Sequence, residues 1–177
     1  MNIYFYLEKM QLDIFNLTMG ELKKKYYILC REECGEEHAA DIKEIDLKGY
    51  INELESSLLT LLDSSDINRA KALYFEYDLD NSWDSNLYAC DRYSELEEED
   101  DDWASEWVYE VTGPSHTLFS DLYAKYGFDS SKEAVFSTLY LIARTVCAYK
   151  AAVTKFNLSL PLCIAFHDQD PIMRLQE

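Results

Sequence analysis

Glycine is scarce in this chain, with five residues among 177. They are widely separated, at Gly20, Gly35, Gly49, Gly113 and Gly127. A loop that wraps a phosphate needs clustered glycines, because a backbone without Cβ atoms can approach the phosphate closely. The sequence therefore excludes a Walker loop and a dinucleotide-binding fingerprint, and it contains no Gly-x-Ser-x-Gly nucleophile elbow.

Positive charge is also scarce, since 16 Lys and Arg face 34 Asp and Glu and the formal net charge is −18. Binding to nucleic acid depends on cations that displace counterions, and anionic membrane surfaces repel a negative protein. No run reaches the roughly 18 uncharged apolar residues of a membrane span. Glu8 and Asp13 fall where a signal peptide would be apolar. We expect a cytoplasmic protein that binds neither nucleic acid nor membranes.

The cysteines and histidines are too few and too dispersed to indicate a reaction. Five cysteines, an odd number, differ from the dense even frameworks of small secreted domains, so we expect reduced thiols. Three histidines are present, and no nucleophile can be paired with any of them from sequence. The sequence therefore predicts no catalytic residue and favours a protein that is not an enzyme.

The hydrophobic pattern predicts one α+β domain that spans residues 1–177. Apolar residues recur every three or four positions after the capping box of Thr18 and Glu21, from Asp46 onward, and from residue 131 to about Phe156. Ser130 and Glu133 form a second candidate capping box. Alternating patterns predict strands over residues 72–79 and 103–111, and residues 87–93 fit an antiparallel partner that follows the first strand. An apolar run predicts a final strand over residues 160–166, and the tail after Asp168 is polar.

This order of elements predicts a mostly antiparallel sheet of about four strands packed against several helices. The long helix near the C-terminus is the best candidate to cover the apolar face of the sheet. In the third strand, the alternation of Trp107, Tyr109 and Val111 favours side chains on that core face.

Six consecutive acids, residues 97–102, form the strongest local feature of the sequence. Such a run must stay solvated or face positive charge, because six carboxylates repel one another. A solvated loop is one interpretation, but nearby acids favour a negative face that attracts a basic protein. Trp83, in a turn, is either an anchor on that face or a core residue. The predicted partner-binding residues are Asp78, Asp80, Trp83, Asp84, Glu97, Glu98, Glu99, Asp100, Asp101 and Asp102.

The turn after the first strand offers an alternative reading as a metal-dependent hydrolase. Residues 78–82, with the sequence DLDNS, resemble the first motif of haloacid-dehalogenase-type phosphatases. That resemblance implies an attacking Asp78, a proton-handling Asp80 and a magnesium ion, with Asp84 and His167 as further candidates. The antiparallel strand predicted next favours a hairpin turn instead. Whether this turn binds a divalent cation stays open.

Cys30, Cys34 and His38 recur at four-residue spacing and could offer three zinc ligands on one helix face. Gly35 is expected to interrupt that helix, and no fourth ligand lies nearby in sequence. Two half-buried thiols and a surface histidine are the alternative, so we expect no metal and no cofactor.

One family resemblance extends over the predicted hairpin. The segment YFEYDLDNSWDSNLYACDRY, followed by the strand with Trp103 and Trp107, is similar in layout to bacterial domains grouped near the SUKH-type immunity proteins. The resemblance implies a protein that neutralises a toxin by binding it. The sequence thus predicts an interaction protein of immunity or inhibitor type, with the hydrolase and a DNA mimic as alternatives. It does not specify the oligomeric state.

Overall fold

The computed structural model describes residues 2–177, which form six α-helices and a five-stranded sheet. The helices are α1 (Ile3–Asn16), α2 (Met19–Cys34), α3 (Glu36–Glu44), α4 (Lys48–Leu62), α5 (Thr117–Tyr126) and α6 (Lys132–Thr154). The strands are β1 (Ala72–Tyr77), β2 (Ser85–Cys90), β3 (Trp107–Thr112), β4 (Leu162–Phe166) and β5 (Met173–Gln176).

The sheet has the strand order β3-β2-β1-β4-β5. Three neighbouring pairs are antiparallel and one, β1 with β4, is parallel. The predicted α+β class with a mostly antiparallel sheet is therefore confirmed. β5 is a fifth strand, formed by part of the tail that the sequence predicted to be only polar.

Helix α6 lies at the centre of the molecule. It is buried on almost every side, with other helices packed around it and the sheet beneath it. Tyr149 of α6 stacks on Phe75 of β1, with 4.9 Å between ring centroids. Burying a side chain of this size contributes about 1.5–3 kcal/mol. The predicted covering of the apolar face by the long helix is thus confirmed, and we refer to that face as the inner face.

Helix caps follow the predictions with one shift. Thr18 and Glu21 form the expected capping box at the start of α2. At α6 the cap is Ser131, whose hydroxyl accepts a hydrogen bond from the amide of Ala134, and not the predicted Ser130. The shift makes Glu133 the second residue of the helix, still within the first turn, where its negative charge interacts favourably with the positive end of the helix.

Within residues 2–177, no helix combines the length and apolar character that a membrane crossing requires.

Candidate protein-binding face

The outer face of the sheet, opposite α6, carries its own small hydrophobic cluster. The alternation of β1 turns Tyr74 and Glu76 to this face, and Tyr74 pairs with Tyr88 across the β1–β2 ladder. The chain between β2 and β3, which includes the six acids, crosses part of this face. The buried members of the cluster are Ala72, Tyr74, Cys90, Trp103, Cys163, Ala165 and Ile172.

Trp103 anchors the chain that follows the six acids. The sequence predicted it within the third strand, but that strand begins at Trp107, and Trp103 lies in a short 3-10 helix (Asp102–Ser105). Its indole is 2% exposed and meets Tyr74 and Tyr93 edge to face, at centroid distances of 6.1 and 5.4 Å. The anchor holds the end of the acidic run against the sheet.

A buried ion pair attaches the acidic run to β5. The Arg174 side chain of β5 is 1% exposed, and its Nη2 lies 2.8 Å from Oδ1 of Asp101. The other Asp101 oxygen, Oδ2, accepts a hydrogen bond of 2.6 Å from the amide of Ile172. Arg174 also donates to the carbonyls of Ile172 and Ser94. Sequence patterns did not identify Arg174, because its partner is 73 residues away in the chain.

The other five acids of the run are exposed to solvent. Glu97, Glu98, Glu99, Asp100 and Asp102 are all exposed, whereas Asp101 is half-buried by its pair with Arg174. The amide of Leu96, just before the run, donates to the Glu177 carboxylate at 2.8 Å. The run is thus an ordered part of the fold, and we call residues 97–102 the acidic segment.

Trp83 is buried, so the prediction that it contacts a partner is wrong for this fold. Its indole is 0% exposed and stacks on Tyr77 at 5.3 Å, and its Nε1 donates to Thr145 Oγ1 of α6 at 3.1 Å. Ser82 and Trp83 both have a φ of 56°, a left-handed conformation that costs non-glycine residues free energy. Burial of the indole offsets that cost, and it fixes the β1–β2 turn to the core.

The three acids of this turn, Asp78, Asp80 and Asp84, differ in exposure and in hydrogen bonding. Asp78 is half-buried, and its Oδ1 accepts hydrogen bonds from the amides of Asp80 and Asn81, at 2.9 and 3.2 Å. Asp80 and Asp84 are exposed. Among residues 2–177, these three carboxylates do not form a group close enough to share one metal ion. Asp78 and Asp84 instead line one cleft of about 260 Å³, together with Glu76 and His167.

His167 and Glu76 are joined by a hydrogen bond at the edge of this cleft. Nδ1 of His167 lies 2.7 Å from Oε1 of Glu76, because β1 and β4 are parallel and bring Glu76 and residue 167 to the same end of the sheet. The hydrogen bond to Glu76 raises the pKa of His167, and the nearby charges of Glu76 and Asp168 act in the same direction.

We expect His167 to titrate above the usual value of about 6.5, and to return toward it in Glu76→Gln. A proton NMR titration of the ring would measure both. Because the folded-state pKa is raised, the pair stabilises the fold fully below about pH 6.5, and this stabilisation is lost as the pH rises through the folded value. His116, whose pKa is lowered mainly by burial, is the control that Glu76→Gln should leave unchanged. A His167 pKa below 6.5 in the wild type would contradict the pair.

The outer edge of the sheet exposes aromatic rings that the sequence assigned to the core face. Trp107, opposite Cys90, lies on the outer face and is 44% exposed, so that prediction is wrong for Trp107. Tyr109, opposite Ala89, and the half-buried Val111 lie on the core face as predicted, although Tyr109 is 37% exposed at the edge of the sheet. The reason is that β3 is an edge strand and its register shifts at a bulge opposite Ala89 and Cys90. The Trp107 ring lies 4.8 Å from that of Tyr88, beside the cleft residues of the outer face.

Charge is distributed unevenly over the molecule. Residues 76–112 contain 14 Asp and Glu but a single basic residue, Arg92, which pairs with Glu106 at 2.8 Å. The rest of the chain has 20 acids and 15 Lys and Arg. On the helical side, a cleft of about 470 Å³ between α2, α3 and α6 is lined by Lys23, Lys24, Arg31, Lys43 and Arg144. Residues 76–112, which include most of the hairpin, the acidic segment and β3, therefore carry a net charge of −13 out of the −18 of the chain.

The structure also brings Cys30, Cys34 and His38 together, although Gly35 separates α2 from α3 as predicted. One ligand atom from each lies within 4.8 Å of the others. A hydrogen bond between the thiols lowers the pKa of Cys34 and raises that of Cys30. Burial lowers the pKa of His38. The break at Gly35 turns α3 back toward α2. The three side chains therefore meet although they do not lie on one continuous helix.

The chain matches no protein-family model, no curated protein and no solved structure.

Proposed function

We propose that this protein is a non-enzymatic interaction protein of immunity or inhibitor type, which binds a basic protein through its acidic outer face. The observation that carries the proposal is the segregation of charge. Fourteen acids and one ion-paired arginine occupy residues 76–112, and the acidic segment is anchored by a buried ion pair and a buried tryptophan.

The anchoring supports a binding role over simple solubility. A charged run that only keeps a protein soluble needs no defined position, whereas this run is tied to β5 through Asp101 and Arg174. Carboxylates held in place lose less conformational entropy when a partner binds, so more of the interaction energy remains as affinity. Their field also accelerates encounters with a basic partner.

The exposed aromatics supply the apolar contact that charge alone lacks. Trp107 lies at the edge of the outer face beside Tyr88, and Glu106 and Glu110 flank it along the chain. Tryptophan and tyrosine are enriched among the residues that dominate binding energy at interfaces. Trp107, in place of the buried Trp83, is the aromatic residue that we assign to the interface.

The hydrolase alternative rests on Asp78, Asp80 and Asp84, and the geometry supports it less well. Asp78 is committed to two amides of its own turn, and the three carboxylates do not gather around one point. A catalytic magnesium ion would require them to converge. Calorimetric titration with millimolar magnesium or manganese tests this alternative, and we expect no heat of binding at this turn.

Neutralising part of the acidic segment should weaken partner binding. The full chain is immobilised and a partner is captured from the source cell at low salt, where electrostatic attraction reaches farthest. Affinity is then measured for the wild type and for the triple variant Glu97→Gln, Glu98→Gln, Glu99→Gln. We expect a loss of about tenfold, since each lost pair contributes roughly 0.5 kcal/mol at an exposed interface.

The matched control removes the same number of charges from the helical side. Glu8, Glu32 and Glu53 are exposed on α1, α2 and α4, and their replacement by Gln should change affinity less than about twofold. The captured partner should be basic and should dissociate as salt rises to about 1 M, where charges are screened beyond about 3 Å. Equal losses from both triple variants, or a partner indifferent to salt, would refute the proposed face.

A further inference from the structure

We propose that Cys30, Cys34 and His38 form a zinc-binding site in which three protein ligands hold the ion and a fourth position faces solvent. The site lies on the helical side of the molecule, at the junction of α2, α3 and the start of α6. It is separate from the acidic outer face, and its test does not depend on the proposed function.

The ligand geometry is close to that of a tetrahedral site. The two sulfur atoms and one ring nitrogen all lie within 4.8 Å of one another. Zinc bonds of about 2.3 Å to sulfur and about 2.1 Å to nitrogen place such atoms roughly 3.5–3.8 Å apart. Side-chain movements of about 1 Å would therefore close the three ligands around one ion. A set of two thiolates and one imidazole favours zinc over magnesium or calcium, which bind mainly oxygen ligands.

The backbone explains why the three side chains meet. Cys30 and Cys34 are one turn apart on α2 and share a face. Gly35 then has a φ of 94°, which other residues rarely adopt, so α3 starts at once in a new direction and returns His38 to that face. A Cβ atom at Gly35 would meet no neighbour within 4 Å, so the glycine is required by its dihedral angle and not by space.

Neighbouring groups hold the histidine ring in place. Its Nε2 lies 3.0 Å from the hydroxyl of Ser137 on α6, and the ring packs edge to face on Tyr126 at 4.3 Å. Outer contacts of this kind orient metal ligands and commonly change metal affinity by about 10- to 100-fold. On the sulfur side, Cys34 lies 3.4 Å from the Glu133 carbonyl, and Cys30 is fully buried.

The fourth position is accessible. A cleft of about 430 Å³ opens beside the ligands, lined by Cys34, His38, Asp41, Lys125 and Tyr126 among others. A water molecule would complete the coordination from that side. Three protein ligands with an open position differ from the closed four-ligand sites that only stabilise a fold.

Cobalt titration of the reduced full chain tests the proposal, because thiolate-bound tetrahedral cobalt absorbs strongly in the near ultraviolet and visible. We expect this spectrum at one equivalent of cobalt and its loss when zinc displaces the cobalt. Zinc affinity follows from competition with a chromophoric chelator. Cys34→Ser and His38→Gln should each lower it at least about 100-fold, since each removes one of three ligands.

Cys147→Ser is the matched control, because Cys147 is a similarly half-buried thiol on α6 outside the cluster. It should keep the cobalt spectrum and bind zinc within about threefold of wild type. Zinc should also raise the melting temperature of the wild type and of Cys147→Ser, but not that of His38→Gln. Each variant is checked for folding by circular dichroism.

Three results would overturn the site. The first is no thiolate–cobalt absorption in the reduced wild type at one equivalent. The second is an unchanged spectrum in both Cys34→Ser and His38→Gln. The third is a Cys30–Cys34 disulfide that forms readily, seen as a loss of two hydrogens by mass spectrometry, while the reduced protein binds no metal. The last result would identify a dithiol pair instead of a zinc site.

Discussion

Replacing Trp83 by alanine is expected to lower the free energy of unfolding by about 3–5 kcal/mol, the range for removing a buried aromatic side chain. The indole is completely buried between Tyr77, Phe119 and Tyr123, and its nitrogen donates to Thr145. The variant also loses the packing that offsets the left-handed backbone at Ser82 and residue 83. Chemical denaturation followed by circular dichroism measures the change.

Trp107→Ala is the control for this prediction, because it removes the same side chain from an exposed position of β3. It should cost less than about 1 kcal/mol in stability. Partner binding should show the opposite order, with the larger loss of affinity in Trp107→Ala. A loss of less than 1 kcal/mol for Trp83→Ala would contradict the buried position of the indole. Trp83→Phe, which keeps most of the packing, allows the measurement if the alanine variant does not fold.

Removing the carboxylate of Asp101 is expected to destabilise the fold by about 3 kcal/mol, near the lower limit for breaking a buried pair. The Arg174 guanidinium would remain buried without an opposite charge, because its side chain is 1% exposed. The amide of Ile172 would lose its acceptor as well. The lower limit applies because Asp101 itself keeps a 22% exposed side chain and is partly solvated.

A double-mutant cycle isolates this ion pair. Arg174→Met in the Asp101→Ala background should recover part of the lost stability, since no unpaired charge then remains buried. Asp102→Ala, next to Asp101 but exposed, is the control and should change stability by less than about 0.5 kcal/mol. Equal effects of Asp101→Ala and Asp102→Ala would mean that the acidic segment is not anchored.

The elements that the sequence predicted best have long periodic patterns and local caps. Helix α6 and the capping box of α2 follow from residues close together in the chain, and so does the β1–β2 hairpin. β5 was not predicted because it is short, contains a buried arginine and depends on pairing with β4. The parallel pairing of β1 with β4 depends on residues almost 90 positions apart, which a local pattern does not specify.

The candidate face was predictable in its charge but not in its architecture. The acidic run and its neighbours are visible in the sequence, whereas the contacts that fix the run depend on Arg174 and Trp103 from outside it. The interface role considered for Trp83 and the core position predicted for Trp107 were reversed in the structure, because the exposure of a side chain on an edge strand depends on tertiary packing. Trp83 enters the core and Trp107 leaves it. Predicting that Cys30, Cys34 and His38 meet likewise required the direction of α3 after Gly35, which the sequence alone does not specify.

Hydrogen–deuterium exchange of the captured complex, compared with the free protein, tests the acidic face most directly. Slower exchange is predicted for the backbone amides of residues 95–107 and of the outer edge of β3, with no change along α2. Protection confined to the basic cleft of α2, or the same exchange in the free and bound protein over residues 95–107, would contradict the proposed face.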